Sequence, residues 1–187
     1  MPPKLDEALL PYPADLPDPR VSHYLDEFKS RYPQIFSAVT HDLERLSWIR
    51  TIFASSRFLS EELLQHPDWI LTVDDLQSTL ATEKYKARFE EFLRERRVES
   101  ATAQELALFR RKELLRITLR DRLQFAPLFV ITEELSNLAD AILDRALARV
   151  TQDLQSRYGA PGFVIESGDI RPTLFSVIAL GKLGGRN

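Results

Sequence analysis

TEELSNLADAILDRALARVTQDLQ, residues 132–155, indicates the fold class of the chain. Apolar residues recur in this stretch at spacings of three and four, as they do along one face of an α-helix. They are Leu135, Leu138, Ala139, Ile142, Leu143, Ala146, Leu147 and Val150. The spacing predicts a long helix, and we expect its apolar stripe to be a core face.

The whole region from residue 21 to residue 157 has this helical character. It contains no glycine, and Pro33, Pro67 and Pro127 stand where helices begin or end. A second helix is predicted over residues 102–122, where apolar residues cover much of the circumference. The region therefore predicts a mainly α protein with a bundle of about six or seven helices, in which the 102–122 helix is central. The aromatic residues expected in its core are Trp48, Phe53, Phe58, Trp69 and Phe92.

The two ends of the chain differ from this helical region. Six of the eleven prolines lie in the first nineteen residues, which predicts an extended leader over residues 1–20. All six glycines lie after residue 158, where YGAPG at 158–162 breaks the helical pattern. We therefore place a domain boundary near residue 158, with a second domain beginning over residues 158–187.

Strands and turns are predicted in this last region. Residues 163–165 form a short apolar run, and Ser167-Gly168-Asp169 reads as a turn. The longer apolar run FSVIAL at 175–180 predicts a strand that is covered on both faces. Gly181, Gly184 and Gly185 would then allow the backbone to turn sharply and approach a ligand.

Composition excludes several classes of partner and site. A net charge of −3 provides no general attraction to nucleic acid or to an anionic membrane. There is no apolar run of about 18 residues and no signal-peptide pattern, so we expect a cytoplasmic protein. The chain has no cysteine, and His23, His41 and His66 lack ligand spacing, so we expect no metal site built on them.

The glycine-rich run GKLGG at 181–185 is the clearest candidate for a binding site. Backbone N–H groups in such a loop can bind an anion, and Lys182 would add positive charge. The run fits neither the P-loop spacing nor the dinucleotide fingerprint. From these residues alone, an ordinary tight turn explains the run equally well.

A third pattern fits this run better. Leu183-Gly184-Gly185 matches the apolar-Gly-Gly signature of the DNA polymerase β-like nucleotidyltransferase superfamily. Within that superfamily, ALGKLGGR at 179–186 resembles the GMGKLGGRELN run of the glutamine synthetase adenylyltransferase and adenylyl-removing family. Three further stretches resemble family segments: SRFLSEELLQHPDWI at 56–70, LFRRKELLRITLRD at 108–121, and residues 132–146. The chain is identified as a member of this family over roughly residues 32–186.

The resemblance implies a fold, a site and partners. The fold is a multi-helix bundle followed by the first strands of an α+β nucleotidyltransferase domain. In two-activity members, the N-terminal half removes AMP from a tyrosine of glutamine synthetase by phosphorolysis, and the C-terminal half attaches AMP from ATP. This chain resembles the N-terminal half. Glutamine synthetase and a PII-type signal protein are the implied partners, and Mg²⁺ with ATP or ADP the implied cofactors. The implied nucleotide-binding residues are Gly181, Lys182, Leu183, Gly184, Gly185 and Arg186.

One departure from the family bears on activity. The family's Asp-x-Asp pair, which holds two metal ions about nine residues beyond the second glycine, is not among the 187 residues. Asp169 does not replace it, because Arg171 stands two residues later. We therefore expect a truncated, inactive fragment with no catalytic or metal-binding residues of its own, which binds neither Mg²⁺ nor nucleotide. A non-catalytic helical module that binds glutamine synthetase or a signal protein is the alternative.

The sequence also shows a stripe of positive charge and an apolar run near the C-terminus. Lys112, Arg116 and Arg120 are spaced by four and form one stripe on a helix. One interpretation is that this stripe is a solvated face whose charges pair with nearby acids. The alternative is that the stripe contacts the nucleotidyltransferase domain or an anionic partner.

The apolar run at 175–180, if it lacks partner strands, predicts a dimer through this C-terminal strand.

Overall fold

A computed structural model describes residues 18–98, 101–173 and 175–178. Over these residues the protein is mainly α-helical, as predicted, with one short two-stranded sheet towards the C-terminus. The chain divides into two compact units, Met1–Val73 and Asp74–Asn187. The helical region therefore forms two separate cores.

The described part of the first unit contains five helices: α1 (Pro19–Arg31), α2 (Pro33–Thr40), α3 (Leu43–Ser55), α4 (Arg57–Gln65) and α5 (Trp69–Thr72). Polar side chains cap the N-termini of three of these helices. Asp18 accepts a hydrogen bond from the Arg20 amide, and Asp42 accepts two at the start of α3. Ser56 accepts one from the Leu59 amide. Such caps satisfy amides that have no partner inside the helix.

The core of the first unit is apolar. α3 packs against α1, α2, α4 and α5, and its residues Ile52 and Phe53 are fully buried. The rings of Phe28 and Phe53 meet edge to face at 6.2 Å. Phe58 was expected in the core as well, but it lies in the first turn of α4 and is 49% exposed. The other four aromatic residues predicted to be buried are confirmed: Trp48, Phe53, Trp69 and Phe92.

The second unit contains three described helices: α6 (Thr82–Glu95), α7 (Ala103–Arg122) and α8 (Leu128–Tyr158). α8 packs against both α6 and α7. Ten residues of α7 are buried, against four of the longer α8. The 102–122 helix was predicted to be central to one bundle; the helices form two units instead, and within the second unit α7 is the more buried helix while α8 packs on both others. The described residues thus hold eight helices, rather than six or seven.

The predicted core face of α8 is confirmed only in part, since four of its eight residues are half-buried and three are exposed. Of the eight stripe residues only Leu138 is buried, and Val150 is 53% exposed. The buried residues of α8 are instead Ile131, Glu134, Leu138 and Ala141, a face that contains a carboxylate. α8 has 31 residues and α6 and α7 have 14 and 20, so the shorter helices do not cover its whole length.

A small hairpin follows α8. α8 ends at Tyr158 and is followed by Gly159, whose φ of 83° favours glycine. β1 (Gly162–Val164) pairs antiparallel with β2 (Ile170–Pro172), with Phe163 opposite Arg171. Gly168, with a φ of 86°, lies in the connecting turn. The predicted strand near 163–165 and the turn at 167–169 are therefore confirmed.

The predicted buried strand at 175–180 is wrong for the residues that are described. Phe175, Val177 and Ile178 belong to no strand and are 66%, 54% and 80% exposed. The hairpin pairs with itself, and residues 175–178 find no partner strand in the described part of the chain. Residues 179 and 180 lie outside it.

We expect Phe53→Ala to destabilise the first unit by about 3–5 kcal/mol, because truncating a fully buried phenylalanine leaves a cavity. Phe58→Ala is the matched control and should cost less than about 1 kcal/mol, since Phe58 is half exposed. Urea unfolding followed by circular dichroism measures both. Equal losses would contradict the described packing of this core.

Candidate functional site

The predicted nucleotide-binding residues lie outside the described part of the chain. Residues 181–186 are not placed, so their role stays a prediction. The described residues closest to them in sequence are 175–178. These residues lie in no helix or strand and are largely exposed.

An apolar groove lies where α8 meets the hairpin. Its volume is about 480 Å³. Its main apolar lining residues are Leu147, Val150, Leu154, Tyr158, Pro161 and Phe175. No charged side chain belongs to this lining, so the groove offers an apolar surface rather than a phosphate-binding site.

Asp169 and the adjacent carboxylates Asp74 and Asp75 all have partners within the described chain. Asp169 accepts a hydrogen bond from Ser167 Oγ at 2.7 Å within the hairpin turn. Asp74 pairs with Arg88 at 2.9 Å, and Asp75 accepts from Ser78 Oγ at 3.2 Å. Among residues 18–98, 101–173 and 175–178, no group of three or more histidine, aspartate or glutamate residues could hold a metal ion.

The most unusual chemistry of the described residues lies inside the second unit. Arg116 and Arg120 on α7 and Glu134 on α8 are each at most 1% exposed. The solvated stripe is wrong for the two arginines, which face neither solvent nor an external surface, but the predicted pairing with a nearby acid is confirmed for Arg116, which binds Glu113. The two arginines face α8, where Glu134 offers a carboxylate.

Glu134 lies between the two arginines. One carboxylate oxygen, Oε1, accepts a hydrogen bond from Arg116 Nη2. The other, Oε2, forms an ion pair with Arg120 Nε at 3.0 Å. Arg116 Nε also donates to Glu113 Oε2 at 3.3 Å. The carboxylates of Glu113 and Glu134 thus compensate the buried guanidinium groups of Arg116 and Arg120. Such pairing is needed because an unpaired buried charge is costly.

Tyr85 on α6 joins this ion cluster. Its hydroxyl accepts from Arg116 Nη2 and donates to Glu134 Oε1, each at 3.2 Å. Burial away from water raises the pKa of Tyr85 well above its ordinary value, so the phenol stays neutral and keeps its proton to donate. Burial lowers the pKa of Arg116, but Tyr85, Glu134 and Glu113 outweigh it, and the net shift is upward.

Arg88 extends the cluster to the surface of the unit. It donates to Glu113 at 3.0 Å and to Asp74 at 2.9 Å. The chain of contacts therefore runs from exposed Asp74 to buried Glu134. Each group in it is bound by another described residue, so the arrangement is suited to holding structure rather than to acid–base catalysis.

Comparison with known proteins places the chain. Residues 46–187 match the family model described as glutamate-ammonia ligase adenylyltransferase. The chain belongs to this family. It is 30% identical over 156 residues to a bifunctional glutamine synthetase adenylyltransferase/adenylyl-removing enzyme of Shewanella loihica, covering 83% of this chain and 16% of the relative. A Thioalkalivibrio sulfidiphilus enzyme of the same name is 30% identical over 171 residues, covering 90% of this chain and 17% of the relative.

The adenylyltransferase-family chain spans about a sixth of the length of these curated relatives. No solved structure matches it. Within the described residues, no helix has the length and apolar character needed to cross a membrane.

The three stretches that resemble this adenylyltransferase family have identifiable structural roles. The stretch 56–70 begins at the Ser56 cap and ends in α5, where Trp69 stacks on His66 at 4.5 Å. The stretch 108–121 supplies the buried arginines of the ion cluster. The stretch 132–146 supplies Glu134. The sequence analysis did not predict this cluster. The signal that could have indicated it is the pair Arg116 and Arg120, four residues apart on one predicted helix, together with Glu134 on the next predicted helix.

We expect Glu134→Gln to destabilise the second unit by about 3–5 kcal/mol, because removing its charge leaves two buried arginines with less compensation. Glu133→Gln, at the neighbouring exposed position, is the matched control and should change stability by less than about 0.5 kcal/mol. Chemical denaturation of both variants measures the difference. A Glu134→Gln protein as stable as the parent would show that the ion cluster contributes little.

Proposed function

We propose that this chain is part of a bifunctional enzyme that attaches AMP to glutamine synthetase and removes it. The observation that carries this proposal is the family match over residues 46–187, which includes the whole glycine-rich loop. In this proposal the chain contributes two helical units and the first residues of the nucleotide site. Gly181, Lys182, Leu183, Gly184, Gly185 and Arg186 bind the nucleotide phosphates through backbone N–H groups and positive charge.

The metal chemistry needs residues that this sequence does not contain. Mg²⁺ ions in a two-metal site stabilise the attacking and leaving oxygens, and they are held by carboxylates. No Asp-x-Asp pair occurs anywhere in the 187 residues. We therefore expect the 187-residue polypeptide alone to transfer no adenylyl group. Its setting in this proposal is the cytoplasm, where its target enzyme acts.

A non-catalytic interaction module is the second candidate function. The apolar groove at the end of α8 supports it, because a lining without charges suits contact with a protein. Glutamine synthetase is the partner in this alternative, and a PII-type signal protein is the other candidate.

Binding and turnover measured on the same protein distinguish the two functions. We expect the purified chain to bind immobilised glutamine synthetase and to transfer or release no labelled AMP beyond the buffer control.

Calorimetric titration with ADP or ATP and Mg²⁺ then tests nucleotide binding by the loop at 181–186, with Lys182→Ala as the variant and Lys84→Ala as the matched surface control. Nucleotide binding that is lost only in Lys182→Ala would favour the enzyme part. Binding to glutamine synthetase without nucleotide binding would favour the module. Failure to bind glutamine synthetase would contradict both proposals.

The exposed run at 175–178 predicts self-association of the isolated chain. Phe175, Val177 and Ile178 are apolar and unpaired by any described strand, so two copies can pair through this segment. We expect light scattering to show a dimer for the parent chain and a monomer when all three residues are changed to serine. Serine at Leu128 and Phe129, both 71% exposed at the other end of α8, is the matched control and should leave the dimer intact.

A monomeric parent chain would contradict this prediction. So would a control variant that dissociates as readily as the triple variant.

A further inference from the structure

The second unit begins with an irregular segment, residues 74–81, which we call the strap. It lies in no helix or strand, yet Leu76 and Leu80 within it are buried. Asp75 has a φ of 55°, in the left-handed region that residues other than glycine adopt infrequently. The Ser78 amide and hydroxyl donate to Asp75 from within the strap, and further hydrogen bonds to the strap come from α7 and α8.

The arginines of the ion cluster bind the backbone of the strap. Arg116 Nη1 donates to the Asp75 carbonyl at 2.8 Å. Arg120 Nη1 donates to the Ser78 carbonyl, and its Nη2 donates to Thr79 Oγ1 at 3.0 Å. Arg116 thus donates both to the strap and to Glu134, whereas the hydrogen bonds of Arg120 go to the strap and its Nε only forms an ion pair with Glu134.

Two residues of α8 bind the last part of the strap. Glu134 Oε1 accepts a hydrogen bond from the Leu80 amide at 2.9 Å. Asn137 Nδ2 donates to the Leu80 carbonyl at 3.1 Å. Both backbone groups of Leu80 are therefore satisfied by side chains from a helix more than fifty residues away in sequence.

These contacts explain why charged residues lie in a core. Apolar side chains of similar size often stabilise a protein as well as a buried ion pair does. Apolar side chains cannot, however, satisfy the carbonyls and the amide of the strap, which would then be buried without partners. The geometry links the charges to the conformation of the strap more directly than to the packing of α6, α7 and α8.

We propose that Arg116, Arg120, Glu134 and Asn137 form a clamp that holds the strap in a single conformation. When the clamp is broken, the strap opens as a local unit while the three helices remain folded. The clamp thus contributes to the stability of the whole unit, and it also sets the lower free energy at which this one segment opens locally.

Amide hydrogen exchange of the full chain, followed by NMR, tests the clamp. In Arg120→Met the Leu80 amide should exchange about ten- to hundredfold faster, because a hydrogen bond to a charged group contributes roughly that factor to a local equilibrium. The Ile117 amide, in the middle of α7, should keep its parental rate. Arg122→Met, at an exposed position on the same helix, is the control and should change neither rate.

A second variant covers the case in which Arg120→Met does not fold. Asn137→Ala removes one hydrogen bond to the strap and leaves no buried charge unpaired. It should speed exchange at Leu80 without affecting Ile117. The proposal is overturned if Leu80 exchange is unchanged in a folded variant, or if Leu80 and Ile117 accelerate by the same factor.

Discussion

The second unit depends on the burial of Glu134 between Arg116 and Arg120. Removing these charges from water is costly, and the cost is offset only if every charge has a partner. Glu134 meets this condition because its two oxygens bind both arginines, Tyr85 and the Leu80 amide. One carboxylate therefore links α6, α7, α8 and the irregular segment that precedes them.

The first unit is stabilised by different means. Its core is formed by fully buried apolar side chains such as Phe28, Ile49 and Phe53, and polar caps begin three of its helices. Burial of apolar area is non-directional, so such a core tolerates many arrangements of similar volume. The ion cluster of the second unit is directional, because each hydrogen bond needs a particular donor and acceptor.

In our proposal the chemistry of nucleotide transfer involves the loop that begins at residue 181. In the sequence, this loop follows α8 and its hairpin. The exposed part of α8 and residues 175–178 are among the exposed apolar surfaces of the described chain.

The helical class, the α7 and α8 helices, the glycine at the end of α8 and the turn at 167–169 could all be predicted from the sequence. These features depend on local preferences: apolar spacing, helix-ending residues and backbone freedom. The sequence also carried the family motif. The face of α8 that is buried, and the contacts of Arg116 and Arg120, depend on tertiary packing and could not be predicted from the sequence. A prediction based on apolar spacing assigns charged residues to the exposed face of a helix. A charged residue can nevertheless be buried when oppositely charged partners compensate it. Here the shared partner Glu134 is distant in sequence from both arginines, so only folding brings them together.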